Sequence, residues 1–222
     1  EREVIAIDLP GFGDSSQFES TPTPSALADS VEGLICELGL GKPAVGGNSL
    51  GGLISLELAR RGAVSSATAL SPAGFWSKGE ARFAAASLRG ARAGATALEP
   101  LLPKLAANPI ARSVLAGQLV ANPAAVPPDA LELAISGLIH SPGFERTREA
   151  LFAETWSHRT ALAAPATVAW AERDRLLLPR QARRAEAWIP GIRSISLRRC
   201  GHVPCWDDPA LVARTLIEGS ST

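Results

Sequence analysis

The chain has 222 residues, enough for one domain with a substantial hydrophobic core. Its 22 basic and 22 acidic side chains cancel, so composition argues against a nucleic-acid or anionic-membrane surface. A hydrophobic content of 46% with 20% charged residues is typical of a globular protein, and no apolar run reaches the length of a membrane span.

Three cysteines provide no disulfide framework, and no signal peptide is recognisable, so a cytoplasmic location is expected.

Residues 4–9 form a β-branched apolar run, which predicts a buried parallel strand. The following loop contains Gly11-x-Gly13, the beginning of a dinucleotide fingerprint, but Ser16 stands where the third glycine belongs and no helix begins there. We therefore expect no cofactor. Helical spacing of apolar residues then predicts a helix over residues 25–38.

A short apolar run at residues 43–45 precedes Gly47-x-Ser49-x-Gly51, and a helix-like run follows at residues 53–59. This strand-turn-helix context is typical of a nucleophile elbow. Side chains at the two glycine positions are expected to collide with the neighbouring strand and helix. The turn would expose the Ser49 hydroxyl at the positive end of a helix, with the Leu50 N–H directed at an oxyanion.

Residues 65–70 predict a further strand, after which strand patterns stop from residue 75 to 155. Helices are predicted there near residues 80–92, 110–120, 129–138 and 145–156, an insertion typical of a cap. Strands at 166–170 and 194–197 alternate with helices at 179–188 and 209–217. The predicted fold class is α/β, a mostly parallel doubly wound sheet with an all-helical cap. The domains would be a core at 1–74, the cap at 75–155 and the rest of the core at 156–222.

Ser49, Asp174 and His202 each follow a predicted strand, and ligands of open α/β sheets bind at the carboxyl ends of strands. Their order is that of an α/β-hydrolase triad. Serine needs a base to remove its proton, histidine titrates near neutrality, and aspartate can hold the imidazole tautomer. If Asp174 is only a surface loop acid, Glu172 and Asp207 are the substitutes.

The other histidines, His140 and His158, lie in or beside the insertion and are interpreted as cap-surface residues. Cys200 and Cys205 flank the candidate catalytic histidine. A zinc site would require a second Cys/His pair, which the sequence lacks. We therefore expect no metal.

Four motifs together resemble the α/β-hydrolase superfamily: VIAIDLPGFGDSS at residues 4–16, GGNSLGG at 46–52, WAERD at 170–174, and Gly-His at 201–202 with DDP at 207–209. The resemblance implies that Ser49 is the nucleophile, Asp174 the acid and His202 the base. It also implies that Leu50 supplies one oxyanion N–H. Members of the superfamily carry three strands before the one predicted here at residues 4–9, and a His-Gly loop that supplies the other oxyanion donor. Neither is in this sequence, which begins at Glu1 without Met, so we expect the natural protein to be longer.

Within the superfamily, the haloalkane dehalogenases and epoxide hydrolases use an aspartate nucleophile and are disfavoured because residue 49 is serine. Epoxide hydrolases also use cap tyrosines, and this chain has no tyrosine. Gly47-Asn48-Ser49 and Cys200-Gly201-His202 resemble hydrolases that cleave C–C bonds of vinylogous diketones, but those usually carry tryptophan where Val203 stands. A carboxylic ester hydrolase is favoured, the C–C hydrolase is the alternative, and a non-catalytic ligand binder is a further alternative.

An insertion rich in alanine and leucine predicts a hydrophobic acyl or alkyl group on the substrate, although its aromatic residues are also typical of a packed cap core. Arg146 or Arg148 could bind an acidic substrate, but helix-surface charge is the favoured interpretation. The expected partner is a small-molecule substrate, with no nucleic acid or membrane, and homo-oligomer formation is left open. The residues predicted to form the oxyanion or substrate site are Asn48, Leu50, Phe75, Trp76 and Trp156.

Overall fold

The computed structural model describes residues 2–221 and contains one sheet of parallel strands. The strands lie in the order β1 (Ala44–Asn48), β2 (Ser66–Leu70), β3 (Ala166–Ala171) and β4 (Arg193–Leu197). The helices are α1 (Pro24–Glu37), α2 (Leu50–Arg61), α3 (Lys78–Leu98), α4 (Leu102–Ala107), α5 (Pro109–Ala116), α6 (Pro128–His140), α7 (Phe144–Ala153), α8 (Arg180–Trp188) and α9 (Pro209–Gly219). The predicted α/β class with a parallel sheet is confirmed.

The two faces of the sheet are covered by different helices. Because side chains alternate along a strand, Ala69 and Val168 face one side and pack with α2 and α8. Their neighbours Leu70 and Ala169 face the other side and pack with α9. Helix α1 packs mainly on α2. This two-sided cover is the doubly wound arrangement predicted from the alternating pattern.

The strand predicted at residues 4–9 is wrong. These residues form no strand, and Val4, Ile5 and Ile7 are 82%, 49% and 42% exposed. An extended apolar run becomes a strand only when its backbone groups bond to a neighbouring strand, and none of the described strands pairs with this segment. The sequence pattern shows that the run is apolar, but it does not show whether a neighbouring strand is present to pair with it.

Between β2 and β3, the described residues contain helices α3 to α7 and no strand. The predicted helices of this insertion are confirmed with shifted ends, and α4 was not predicted. Pro103 and Pro109 lie in the first turns of α4 and α5, where a missing N–H costs no hydrogen bond. The insertion has its own apolar cluster, which includes Ala106, Leu131 and Ile135. We call this helical segment the cap.

A buried carboxylate fastens the cap to the core. Glu80 in α3 is 7% exposed and completes a capping box with Ser77. Its oxygens also accept hydrogen bonds from Arg180 and Arg184 of α8, each at 2.6 Å. Charge-assisted hydrogen bonds of this kind are stronger than neutral ones, so they fix the orientation of α3 against α8. Within residues 2–221, no helix combines the length and apolar character needed to cross a bilayer.

Candidate active site

Ser49 occupies a sharp turn between β1 and α2. Its backbone has φ 57° and ψ −113°, a strained conformation for a residue with a side chain. Hydrogen bonds hold the strained residue in place: its N–H donates to the Leu70 carbonyl at 2.9 Å, and its carbonyl accepts from Leu53 and Ala73, each at 3.0 Å. No described side chain caps the N-terminus of α2, whose first helical residue is Leu50. The N–H groups of that first turn therefore present a partial positive charge beside Ser49.

The two glycines of the motif have different roles. A Cβ on Gly47 would lie 2.4 Å from the carbonyl carbon of Gly51, so the predicted crowding there is confirmed. At Gly51 the prediction is wrong, because a Cβ would meet no atom within 4 Å. The second crowded position is Gly52, whose Cβ would lie 3.1 Å from the Gly47 carbonyl oxygen. The turn thus requires close backbone approach between the end of β1 and the start of α2.

His202 and Asp174 form a buried pair at the carboxyl ends of β4 and β3. His202 Nδ1 lies 2.7 Å from Asp174 Oδ2, and their side chains are 4% and 0% exposed. The other carboxylate oxygen accepts the N–H groups of Leu176 at 2.9 Å and Leu177 at 2.7 Å. Because both oxygens are held, the carboxylate has a fixed orientation toward the imidazole. An aspartate that accepts N–H groups two and three residues later forms an Asx-type turn, for which an aspartate directly after a strand is a local sequence signal.

Asn48 connects this pair to the elbow. Its side-chain Nδ2 donates to the backbone carbonyl of His202 at 2.9 Å and to that of Leu70 at 3.0 Å. Both amide protons are therefore engaged, and Asn48 offers no side-chain N–H to an oxyanion. The residue before Ser49 positions the histidine backbone, which corrects the oxyanion or substrate role predicted for Asn48.

The two substitute acids bond elsewhere. Glu172 accepts the backbone N–H of Arg199 at 2.9 Å. The Asp207 carboxylate accepts backbone N–H groups from Gly201 and from residues 121 and 122 of the cap. Among the described residues, Asp174 is the acid whose carboxylate contacts His202.

The three predicted substrate-contacting aromatics are core residues. Phe75, Trp76 and Trp156 are 0%, 3% and 5% exposed and belong to one apolar cluster. Phe75 stacks on Trp156 with ring centroids 5.8 Å apart, and Trp76 stacks on Phe152 at 4.7 Å. Their ring faces are occupied by protein, so we assign them to packing and not to substrate contact. Composition could not distinguish the two roles because both require apolar aromatic surface.

The remaining polar candidates of the cap make intramolecular contacts. Arg146 donates to the backbone carbonyls of residues 18–20, and Arg148 pairs with Glu145 at 2.8 Å. His140 is exposed and lies 3.2 Å from a carboxylate oxygen of Glu99. His158 is exposed as well. Arg146 and both histidines are exposed, as the surface interpretation predicted, whereas the Arg148 side chain is only 11% exposed.

Cys200 is buried within residues 198–203, the loop that carries His202, which we call the histidine loop. Burial, with a smaller effect from the carboxylates of Asp207, Asp208 and Glu172, raises the pKa of its thiol to about 11. The thiol therefore stays protonated at neutral pH and is a poor nucleophile. Across residues 2–221, His, Cys and acidic side chains form no group of three that could hold a metal ion.

Comparison with known proteins identifies the family of the chain. Residues 1–215 match the profile of the alpha/beta hydrolase family. The epoxide hydrolase EphH of Mycobacterium tuberculosis is 30% identical over 197 residues, which span 86% of this chain and 92% of that protein. A thermophilic esterase from Thermogutta terrifontis has a TM-score of 0.66 at 23% identity, covering 95% of this chain and 76% of its own.

A second solved structure, the 2-hydroxy-6-oxo-6-phenylhexa-2,4-dienoate hydrolase of Rhodococcus sp. strain RHA1, has a TM-score of 0.67 at 18% identity. The match covers 97% of this chain and 78% of that one. At these identities the two solved structures show the fold alone. From the family profile and the EphH match, the chain belongs to the alpha/beta hydrolase family.

Proposed function

We propose that this protein is a serine hydrolase that attacks the carbonyl carbon of a small hydrophobic substrate, with a carboxylic ester as the favoured class. One observation carries the proposal. The side chain of Asn48, the residue before Ser49, donates to the backbone carbonyl of His202, and His202 forms a buried pair with Asp174. This arrangement supports a nucleophile, a base and an orienting acid that act together at one edge of the sheet.

The chemistry follows from the protonation states that this arrangement favours. Asp174 accepts the Nδ1 proton of His202, which leaves Nε2 free to remove the proton of Ser49. The serine oxygen attacks the carbonyl carbon, and the N–H of Leu50 stabilises the negative charge that develops on the carbonyl oxygen. His202 then gives its proton to the departing alcohol. Water, deprotonated by the same imidazole, cleaves the acyl-enzyme ester and releases the acid.

An ester is favoured over an epoxide because of the nucleophile. Attack of the Ser49 oxygen on an epoxide carbon would form an ether, which has no carbonyl for water to attack in a second step. An aspartate nucleophile avoids this because it forms an ester. The relative EphH is named an epoxide hydrolase, but at position 49 this chain carries serine. An epoxide is therefore included as a test substrate, and epoxide hydrolysis is not a second proposal.

C–C bond cleavage of vinylogous diketones remains the alternative, because it starts with the same activated carbonyl and uses the same oxyanion site. The Gly47-Asn48-Ser49 triplet favours it, whereas Val203 in place of tryptophan after the histidine favours an esterase. The hydrophobic substrate expected from the apolar composition of the cap suits either reaction.

A substrate panel tests the proposal. Purified protein and a matched Ser49→Ala variant are assayed with p-nitrophenyl esters of increasing chain length, one vinylogous diketone and one aryl epoxide. We expect ester turnover that depends on Ser49, with the highest kcat/KM at an intermediate chain length. Faster turnover of the diketone would select the alternative. If wild type and Ser49→Ala are equally inactive on all three classes, the hydrolase proposal fails and a ligand-binding role is left.

A further inference from the structure

A segment of the cap lies across both loops that carry the candidate acid and base. This segment, residues 117–122, joins α5 to the turn before α6, and we call it the strap. The guanidinium of Arg175, the residue after Asp174, donates to the carbonyl of Gly117. On the other loop, the N–H of Val203 donates to the carbonyl of Leu119 at 2.8 Å. The strap therefore contacts the immediate neighbours of Asp174 and of His202.

One carboxylate joins the strap to the residue before His202. Asp207 Oδ2 accepts the N–H of Gly201 at 2.8 Å and the N–H of Ala121 at 2.9 Å. Its other oxygen accepts the N–H of Asn122 at 2.8 Å. A carboxylate that accepts three backbone N–H groups makes bonds that are individually stronger than neutral ones. Asp207 thus connects the cap and the histidine loop directly.

The contact between the strap and the histidine loop is also sterically tight. A Cβ on Gly201 would lie 2.7 Å from the nitrogen of Ala121 and 2.8 Å from the carbonyl oxygen of Leu119. Gly201 does not have a left-handed backbone, so its own conformation would accept alanine. What excludes a side chain at this position is therefore the strap itself.

We propose that Asp207 is a positioning residue for His202, acting by fixing the histidine loop to the strap of the cap. Three elements then hold His202: Asp174 orients the ring, Asn48 holds the carbonyl, and the strap holds the residues on either side. The inference rests on the proposed hydrolase function, in which His202 must accept a proton from Ser49. Misplacement of a catalytic group by about 1 Å costs on the order of 100-fold in rate, so loss of one of these three supports should be measurable.

The first test compares Asp207→Asn with Asp208→Asn. In Asp207→Asn the amide nitrogen cannot accept, so at least one of the three backbone N–H groups loses its partner. Asp208 is a matched control, because the same charge is removed one position along the chain. Its carboxylate accepts the N–H of Leu211 at the start of α9, which asparagine also caps well. We expect kcat to fall at least about tenfold in Asp207→Asn with KM nearly unchanged, and to stay near wild type in Asp208→Asn.

A second variant, Gly201→Ala, disturbs the same contact between the strap and the histidine loop. Gly201→Ala leaves Asp207 intact but displaces the strap from the histidine loop. We expect a loss of kcat similar to that of Asp207→Asn, with the double variant no worse than the more damaging single variant. Additive losses in this double-mutant cycle would contradict the proposal, because two independent defects would then be present.

A spectroscopic readout separates positioning from folding and from the proposed function. The proton shared by His202 Nδ1 and Asp174 is followed by proton NMR, with thermal unfolding measured on the same samples. We expect its downfield resonance in wild type and Asp208→Asn, and its loss or broadening in Asp207→Asn and Gly201→Ala while both variants remain folded. An unchanged resonance with normal kcat in folded Asp207→Asn refutes the positioning role alone. If wild type has no hydrolase activity, the proposed function fails, and the resonance still decides whether Asp207 positions His202.

Discussion

Replacing Asp174 with asparagine should abolish most activity while leaving the fold almost intact, and the local hydrogen bonds explain why. One carboxylate oxygen accepts the N–H groups of Leu176 and Leu177, and the other accepts the His202 Nδ1 proton. In Asp174→Asn the amide oxygen must keep the position with two backbone donors. The amide nitrogen then faces Nδ1 as a donor, so Nδ1 has to be the unprotonated nitrogen. The proton moves to Nε2, which can no longer accept the proton of Ser49.

The same wrong-tautomer substitution in a serine protease lowers kcat about 10⁴-fold, and we expect a loss of about 10³–10⁴ here. The assay is ester turnover across pH, because raising the pH cannot restore a base that has the wrong tautomer. Thermal unfolding should change little, since the backbone bonds to the side chain are retained. Asp174→Asn with more than about a tenth of wild-type kcat would refute this reasoning. A large loss in Glu172→Gln instead would identify Glu172 as the acid.

Three further predictions concern the elbow and the core. Gly47→Ala should lower the unfolding temperature severely, because its Cβ would lie 2.4 Å from the carbonyl carbon of Gly51. Gly51→Ala should be tolerated, because its Cβ would meet no atom within 4 Å, and equal Tm values for the two variants would contradict this. Asn48→Ala should lower kcat/KM about tenfold while Ser49 can still be labelled covalently, because the histidine carbonyl loses its tether; unchanged kinetics would remove Asn48 from the site. For Glu57, burial alone would raise the pKa, but hydrogen bonds from two arginines of α2 lower it below its ordinary 4.5. Its stabilisation should be complete above that value and lost as the pH falls through the lowered pKa. Glu57→Gln should therefore cost about 1–3 kcal/mol of unfolding free energy at pH 7, and this cost should shrink as the pH is lowered, as measured by denaturant titration.

Much of the sheet could be predicted because its strands are short apolar runs separated by helices with clear spacing. The strands at residues 66–70, 166–171 and 193–197 match the predicted ones within one residue at either end. Residues 4–9 have the same apolar character but form no strand, because strand formation depends on a partner that the local pattern does not describe. Prediction therefore succeeded for local properties and failed where a neighbour decided the outcome.

The site shows the same division. The motif and the chain order predict Ser49, Asp174 and His202. In the structure, His202 Nδ1 lies 2.7 Å from Asp174 Oδ2. The role of Asn48 was not predicted, because its partner His202 lies 154 positions along the chain. The strap was missed for the same reason. The burial of Phe75 likewise depends on contacts between β2, the cap and α8 that no short window of sequence contains.

Covalent labelling of Ser49 measures whether His202 activates it. Wild type, Ser49→Ala and His202→Ala are treated with a fluorophosphonate, and intact mass and peptide mapping locate the adduct. We expect one adduct on Ser49 in wild type, none in Ser49→Ala, and labelling slowed by at least about 100-fold in folded His202→Ala. Unlabelled wild type, or equally fast labelling with and without His202, would contradict it.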